Sequence, residues 1–267
     1  MNASGIGCNA PDKSQRSREG ALAFDVPAHR GTVLVTGGAR RIGRAICETL
    51  AARGWHVVVH SSKAGDPDAT SLAAELGGIA VAEDFSKPLG AVRLFQKVCD
   101  LAPDLCAIVN NAAEFSPEAV LPSETREAIY RINVETPEKL TTLLGLRLME
   151  HPPFSGAVVD LLDCRILVPS SADVVDTPYL ASKRALHASM LKAAGLFASC
   201  LRVNAVAPGP VLVPDNPAHR VPGGEILLPA RPTPGDVAAA VAFLLDAQAV
   251  TGQVLAVDSG QSLALSR

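Results

Sequence analysis

In "TPYLASKRAL", Tyr179 and Lys183 stand four residues apart, a spacing that brings both side chains to one face of a helix. An ammonium beside a phenol favours the phenolate, so such a tyrosine can give or take a proton near neutral pH. Alone, the pair occurs by chance in many helices. A second candidate lies near the start of the chain, where "TGGARRIG" (Thr36 to Gly43) has the outline of a glycine-rich turn yet places Arg40 and Arg41 in its tightest part. A turn that opens a helix offers unpaired N–H groups and a partial positive charge to a phosphate, although glycine also serves many plain turns through its freedom at positive φ. Cations at a helix start oppose the helix dipole by about a few tenths of a kcal/mol or more. A bound anion removes that conflict; a pair of solvated arginines is the competing reading.

These groups need a scaffold. Short apolar runs alternate with helical patterns from Thr32 onward: "TVLVT", "HVVVH", "GIAVA", "LCAIVN", "GAVVDLL", "LRVNAVA" and "QVLAVD". Such alternation predicts an α/β fold, a parallel sheet with helical crossovers on both faces, and runs that are apolar throughout fit strands covered on both sides. Between the first two runs, "RIGRAICETLAARG" puts Ile42, Ala45, Ile46, Thr49 and Leu50 on one helix face, with Gly54 as the stop. In a dinucleotide fold that selects NAD, the second strand ends on an acid that meets the ribose 2′-hydroxyl. Here it reads "VVVHSSK", with Ser61, Ser62 and Lys63 and no carboxylate before Asp66. An anion is expected instead: Arg41, Lys63 and Arg40 surround a 2′-phosphate and select NADPH.

Taken together, "TGGARRIG", "VNNAA" (Val109 to Ala113), Asn133 in "INVETP", the Tyr179/Lys183 pair and "NAVAPGPV" (Asn204 to Val211) resemble the short-chain dehydrogenase/reductase family, from about Thr32 to the terminal "TGQVLAVDSGQ". The resemblance implies one Rossmann-type, doubly wound domain over residues 31–267 with a seven-stranded parallel sheet. It implies Tyr179 as acid/base, Lys183 on the nicotinamide ribose, and Asn133 positioning a relay water. Gly37, Arg40, Arg41 and Ile42 form the cofactor turn, Ser61, Ser62 and Lys63 the 2′-phosphate end, and Asp84 and Phe85 flank the adenine. Asn111 and Ala112 lie along the cofactor, and Pro208 and Gly209 touch its nicotinamide end.

Two departures from the family's common pattern are specific. Arg41 replaces the middle glycine of the turn, a form that looks like the pteridine reductase and dihydromonapterin reductase branch. The serine that normally precedes the tyrosine is replaced by Asp163, 16 residues before Tyr179 (179 − 163) and expected at the end of the fifth strand. A small insertion around Pro169 to Asp176 accounts for the spacing, and Ser170 and Ser171 are the rivals for the role. An acid there suits a C=N bond, whose nitrogen needs a proton as hydride arrives, and desolvation would raise Asp163 toward a useful range. Asp163 as a plain turn or cap residue is the bland alternative. Asp160 competes on the same strand, but parity sets residues 160 and 163 on opposite faces. Phe115 in "VNNAAEFSP" matches the aromatic that stacks on the pterin in that branch, or is loop core. Glu114 and Ala113 stand where the branch has small hydroxylated residues.

The expected activity is therefore NADPH-dependent reduction of a dihydropterin or dihydrofolate, with a ketone or 3-oxoacyl reductase as the alternative and a non-catalytic NADPH-binding sensor or scaffold as the third reading. Composition narrows the partners. The 267 residues carry a net charge of −3 and no basic run, which argues against nucleic acid and for a small-molecule substrate. Six cysteines show no metal-ligand spacing, so no metal is expected and the thiols read as reduced in a cytoplasmic protein. No apolar run reaches the roughly 20 residues that span a bilayer. Residues 1–30 read as a disordered leader, with an acid-poor targeting helix disfavoured by Asp12, Glu19 and Asp25. The proline-rich stretch from Pro208 to Pro234 reads as a binding loop, and family analogy predicts a homo-oligomer, dimer or tetramer.

Overall fold

Seven strands, β1 (Thr32–Val35), β2 (His56–Ser61), β3 (Ile79–Ala82), β4 (Leu105–Asn110), β5 (Gly156–Leu161), β6 (Leu201–Pro208) and β7 (Val254–Val257), form one sheet in the order β3-β2-β1-β4-β5-β6-β7. Every pairing is parallel. The structure is a computed structural model that describes residues 30–150, 155–168, 175–211 and 226–266. Residues 1–29 of the leader, Ser170, Ser171 and residues 212–225 of the proline-rich loop lie outside the described residues.

Among the described residues eight α-helices connect and cover the strands: α1 (Arg41–Ala52), α2 (Pro67–Leu76), α3 (Gly90–Leu101), α4 (Ser123–Tyr130), α5 (Thr136–Glu150), α6 (Pro178–Leu196), α7 (Pro234–Asp246) and α8 (Gln261–Leu265). Successive strand residues point to opposite faces, and each face has its own core. Val33, Val35 and Val159 pack with Ile46 and Leu50 of α1, Leu72 of α2 and Val241 of α7. Leu34, Ile108 and Val158 pack with Leu94 of α3, Leu144 of α5 and Met190 of α6. All seven apolar runs are strands, and burial on both faces is why β1, β2, β4, β5 and β6 show no alternation, while the edge strands β3 and β7 stay partly exposed.

The sheet order reverses between β2-β1 and β4, so a crevice opens beyond the carboxyl ends of β1 and β4, where doubly wound sheets bind ligands. One boundary differs from the sequence expectation. β5 ends at Leu161, two residues before Asp163, because the Asp163 carboxylate accepts the Arg165 N–H and caps a short 3₁₀ turn, Cys164–Leu167. Strand parity therefore does not govern residue 163.

Candidate active site

The glycine turn is locked to the neighbouring strand ends. Asn111 Nδ2 donates to the carbonyls of Thr36 and Gly37, each at 2.9 Å, while Thr36 Oγ1 accepts the N–H of Asn111 and of Ala112. Gly37 takes φ 61, and a Cβ on Gly43 would stand 2.1 Å from the Gly37 carbonyl. Only glycine fits either place. From β2, His60 Nδ1 accepts the Gly37 N–H at 3.1 Å and Nε2 lies 3.0 Å from the Glu83 carbonyl, so Nε2 carries the proton. Burial holds the His60 imidazole down at about 4, and its ring stacks on Phe85 at 4.4 Å. Phe85 is itself buried, and Asp84 accepts the Ser86 N–H.

The two arginines diverge. Arg40 precedes α1 and pairs with the carboxylates of Asp66 and Asp68, so its charge is met within the chain. Arg41 makes no ion pair among the described residues. It sits at φ 55, a conformation costing a non-glycine residue about 1–2 kcal/mol. The start of α1 has no side-chain cap and no acidic residue in its first turn, so the amides of Ile42 and its neighbours stay available. Lys63 is exposed and without an ion pair among the described residues. Ser61 Oγ donates to the Lys63 carbonyl at 3.1 Å and Ser62 is exposed. Arg41 and Lys63 are thus the two cations at this strand end without an ion pair among the described residues, while Arg40 is paired with Asp66 and Asp68.

The second cluster forms where β5 ends against α6. Tyr179 and Lys183 are both buried on α6, with Nζ 5.7 Å from the Tyr179 ring centroid and donating to the Leu161 carbonyl at 2.7 Å. Burial lowers the Lys183 ammonium to about 8, against the charges of Asp163 and Asp160. Asp163 is gripped by Arg165 through two parallel hydrogen bonds, 2.9 Å from Nε and 2.8 Å from Nη2. The Arg165 guanidinium lies 5.9 Å from the Tyr179 ring centroid. Burial pushes the Tyr179 phenol up, the Asp163 charge and hydrogen bond push it further, and Arg165 opposes them. Arg165 is thus a second cation beside the phenol, at a distance like that of Lys183, whose Nζ donates to a backbone carbonyl. One expectation is corrected: Asp163 stands in an ion pair rather than an apolar pocket.

Phe115 meets the Tyr179 ring edge-on, with centroids 4.8 Å apart. Asn133 lies in a π-helical turn, Arg131–Glu135, and both its amide hydrogens are used: Oδ1 accepts the Glu114 N–H, and Nδ2 donates to the Glu114 carbonyl and to Ser182 Oγ. It fastens the loop that carries Phe115 to α6. Pro208 ends β6, and Gly209 N–H donates to the Val257 carbonyl, with a Cβ there 2.7 Å from the Asp258 Cα. Sequence reasoning missed Arg165 and His60. The first had a usable signal, an arginine two residues after a carboxylate; the second is hidden inside an apolar strand.

A parallel seven-stranded sheet, a phosphate-type turn at its switch point and a buried tyrosine–lysine pair define a nucleotide-dependent oxidoreductase of the Rossmann type. Residues 37–262 match the family model described as enoyl-(acyl carrier protein) reductase. The chain belongs to that family, within the short-chain dehydrogenases/reductases. It is 32% identical over 254 residues to a ketoacyl reductase assigned to the granaticin polyketide synthase of Streptomyces violaceoruber, covering 91% of this chain and 100% of the relative. It is 30% identical over 242 residues to the dihydromonapterin reductase of Citrobacter koseri, covering 86% and 96%. Among solved structures it resembles FolM alternative dihydrofolate reductase 1 of Brucella suis in complex with NADP, with a TM-score of 0.76, 29% identity, and coverage of 89% of this chain and 97% of that one.

Proposed function

We propose that this enzyme uses NADPH to reduce the C=N bond of a dihydropterin, or of dihydrofolate, to the tetrahydro form. Arg41 and Lys63 hold the 2′-phosphate, the open amides of α1 meet the pyrophosphate, and Lys183 binds the nicotinamide ribose. The fit rests on two unpaired cations and an uncapped helix start at one strand end. The FolM relative bound to NADP supports the same cofactor. When bound, NADPH supplies the hydride that adds to the carbon.

The observation that carries the substrate reading is Asp163, held by Arg165 beside the Tyr179 phenol. Tyr179 is the acid that protonates the ring nitrogen. Asp163, fixed by the guanidinium, aligns the phenol proton and accepts substrate N–H groups. Phe115 stacks on the flat heterocycle, worth about 0.5–1.5 kcal/mol beyond area burial. Asn133 acts by holding the Glu114 and Phe115 loop in place. The dihydromonapterin reductase relative supports this branch. The ketoacyl reductase relative favours the second reading, reduction of a ketone or 3-oxoacyl group.

The enzyme works in the cytoplasm as a homo-oligomer, dimer or tetramer, through α5 and α6, whose outer faces expose Leu146, Met149 and Leu191. Among the described residues no helix is long and apolar enough to cross a membrane. Substitution tests the substrate reading. Asp163→Ala abolishes pterin reduction and leaves NADPH affinity within about threefold. Undiminished pterin turnover in that variant sinks the role of Asp163.

A further inference from the structure

Behind Lys183 lies a buried carboxylate that the proposed reaction does not use. Asp160 sits opposite Asn110 in the β4-β5 register, and both point to the α5/α6 face shared by Ile108 and Val158. Both side chains are buried, and Asn110 Nδ2 donates to Asp160 Oδ1 at 2.8 Å. The other half of the amide is orphaned: Asn110 Oδ1 is buried with no hydrogen-bond partner. A buried carbonyl oxygen without a donor keeps the full cost of its lost hydration. A carboxylate cannot supply that donor, but a neutral carboxyl can.

We propose that Asn110 and Asp160 form a buried amide–carboxyl pair that binds and releases a proton behind Lys183 and whose ionised form supports the charge of that lysine. In the protonated state the carboxyl O–H donates to Asn110 Oδ1 while Nδ2 continues to donate to Asp160, closing a two-bond ring. In the ionised state Asp160 is a second anion supporting the Lys183 ammonium alongside Asp163.

The surroundings leave few other groups to respond. On β6 the neighbour in register is Ala205, and α5 presents Leu140 and Leu144 to this face. The remaining charges of α5 are remote, with Glu138, Lys139 and Glu150 exposed and Arg147 donating to the Pro103 carbonyl. The facing charge is Lys183 on α6, and Asp163 is the other carboxylate acting on it. Burial raises the Asp160 carboxyl to about 6, against the Asn110 hydrogen bond and the Lys183 charge.

Infrared difference spectroscopy on the full chain tests this without any substrate. The wild type should show the carbonyl band of a neutral buried carboxyl at about pH 5 that disappears by about pH 7, and Asp160→Asn should lack it. Asp160→Ser gives the same assignment if the amide variant fails to fold. Absence of a band titrating in this range, or its persistence in both variants, overturns the proposal. The kinetic readout rests on the role proposed for Lys183. With any substrate turned over, Asp160→Asn moves the alkaline limb of the pH profile down by about one pH unit or more, and an unmoved limb refutes the coupling. A failure of the pterin assignment leaves the infrared result standing.

Discussion

Arg41→Gly should make the protein more stable and worse at holding its cofactor. Arg41 has φ 55, and glycine removes the associated strain of about 1–2 kcal/mol. Against this stands about 0.5–1 kcal/mol of extra backbone entropy lost on folding. The net gain for the cofactor-free protein is on the order of 0.5–1 kcal/mol, a rise of about 1–4 °C in Tm for a domain of this size. The same substitution deletes a charge-assisted hydrogen bond to phosphate worth about 1.5–3 kcal/mol, which weakens NADPH about 10- to 150-fold. NADH, without the 2′-phosphate, should change by less than about threefold. Arg41→Ala loses the same cation while keeping the strained backbone, so it should match glycine in cofactor preference and fall below it in Tm. Thermal melts of the free protein and fluorescence titrations with both cofactors supply the data. Equal losses for NADPH and NADH, or a glycine variant less stable than the wild type, would refute the reasoning.

Three further outcomes follow from the site. Gly43→Ala drives a Cβ into the Gly37 carbonyl at 2.1 Å; overpacking of this kind costs about 1–3 kcal/mol and should weaken both cofactors alike, separating turn geometry from phosphate charge. His60 has a folded-state pKa of about 4, below its unfolded value near 6.5. Its contribution is present above about pH 6.5 and is lost as pH falls toward 4, so the part of urea stability that His60 carries should drop by about 2 kcal/mol from about pH 7 to about pH 5, opposed by the gain as Asp160, raised to about 6, takes up its proton, and His60→Leu should remove that fall. Arg165→Gln removes the charge opposing Asp163 at Tyr179; turnover should fall about tenfold or more with the pH profile moved upward, Arg165→Lys should recover part of it, and an unmoved profile would remove Arg165 from the site.

The scaffold was legible because the strands obey one constraint. Burial on both faces makes the "VLV" of β1 and the "GAVV" of β5 uninterrupted apolar runs, and Gly54 at φ 85 closes the first connection where the sequence suggests a stop. Side-chain partnerships across the fold were not legible. Arg40 reaches Asp66 and Asp68, some 26 to 28 positions away, and which of two adjacent arginines meets acids depends on backbone direction at the turn. Asp163 was placed by strand counting that the chain abandons at Leu161. Its pairing with Arg165 then redirects the electrostatics of Tyr179. The His60 ring, one apolar-strand residue among many, carries the Gly37 amide only because β2 ends beside the turn.

The central claim is a pterin substrate reduced by NADPH. Its most direct measurement is spectrophotometric NADPH oxidation by the purified enzyme with dihydromonapterin, dihydrobiopterin and dihydrofolate, set beside a panel of ketones and 3-oxoacyl thioesters. Rapid turnover confined to the pterins and dihydrofolate is the predicted result. Turnover of the carbonyl compounds alone, or tight NADPH binding with no turnover of either group, would contradict it.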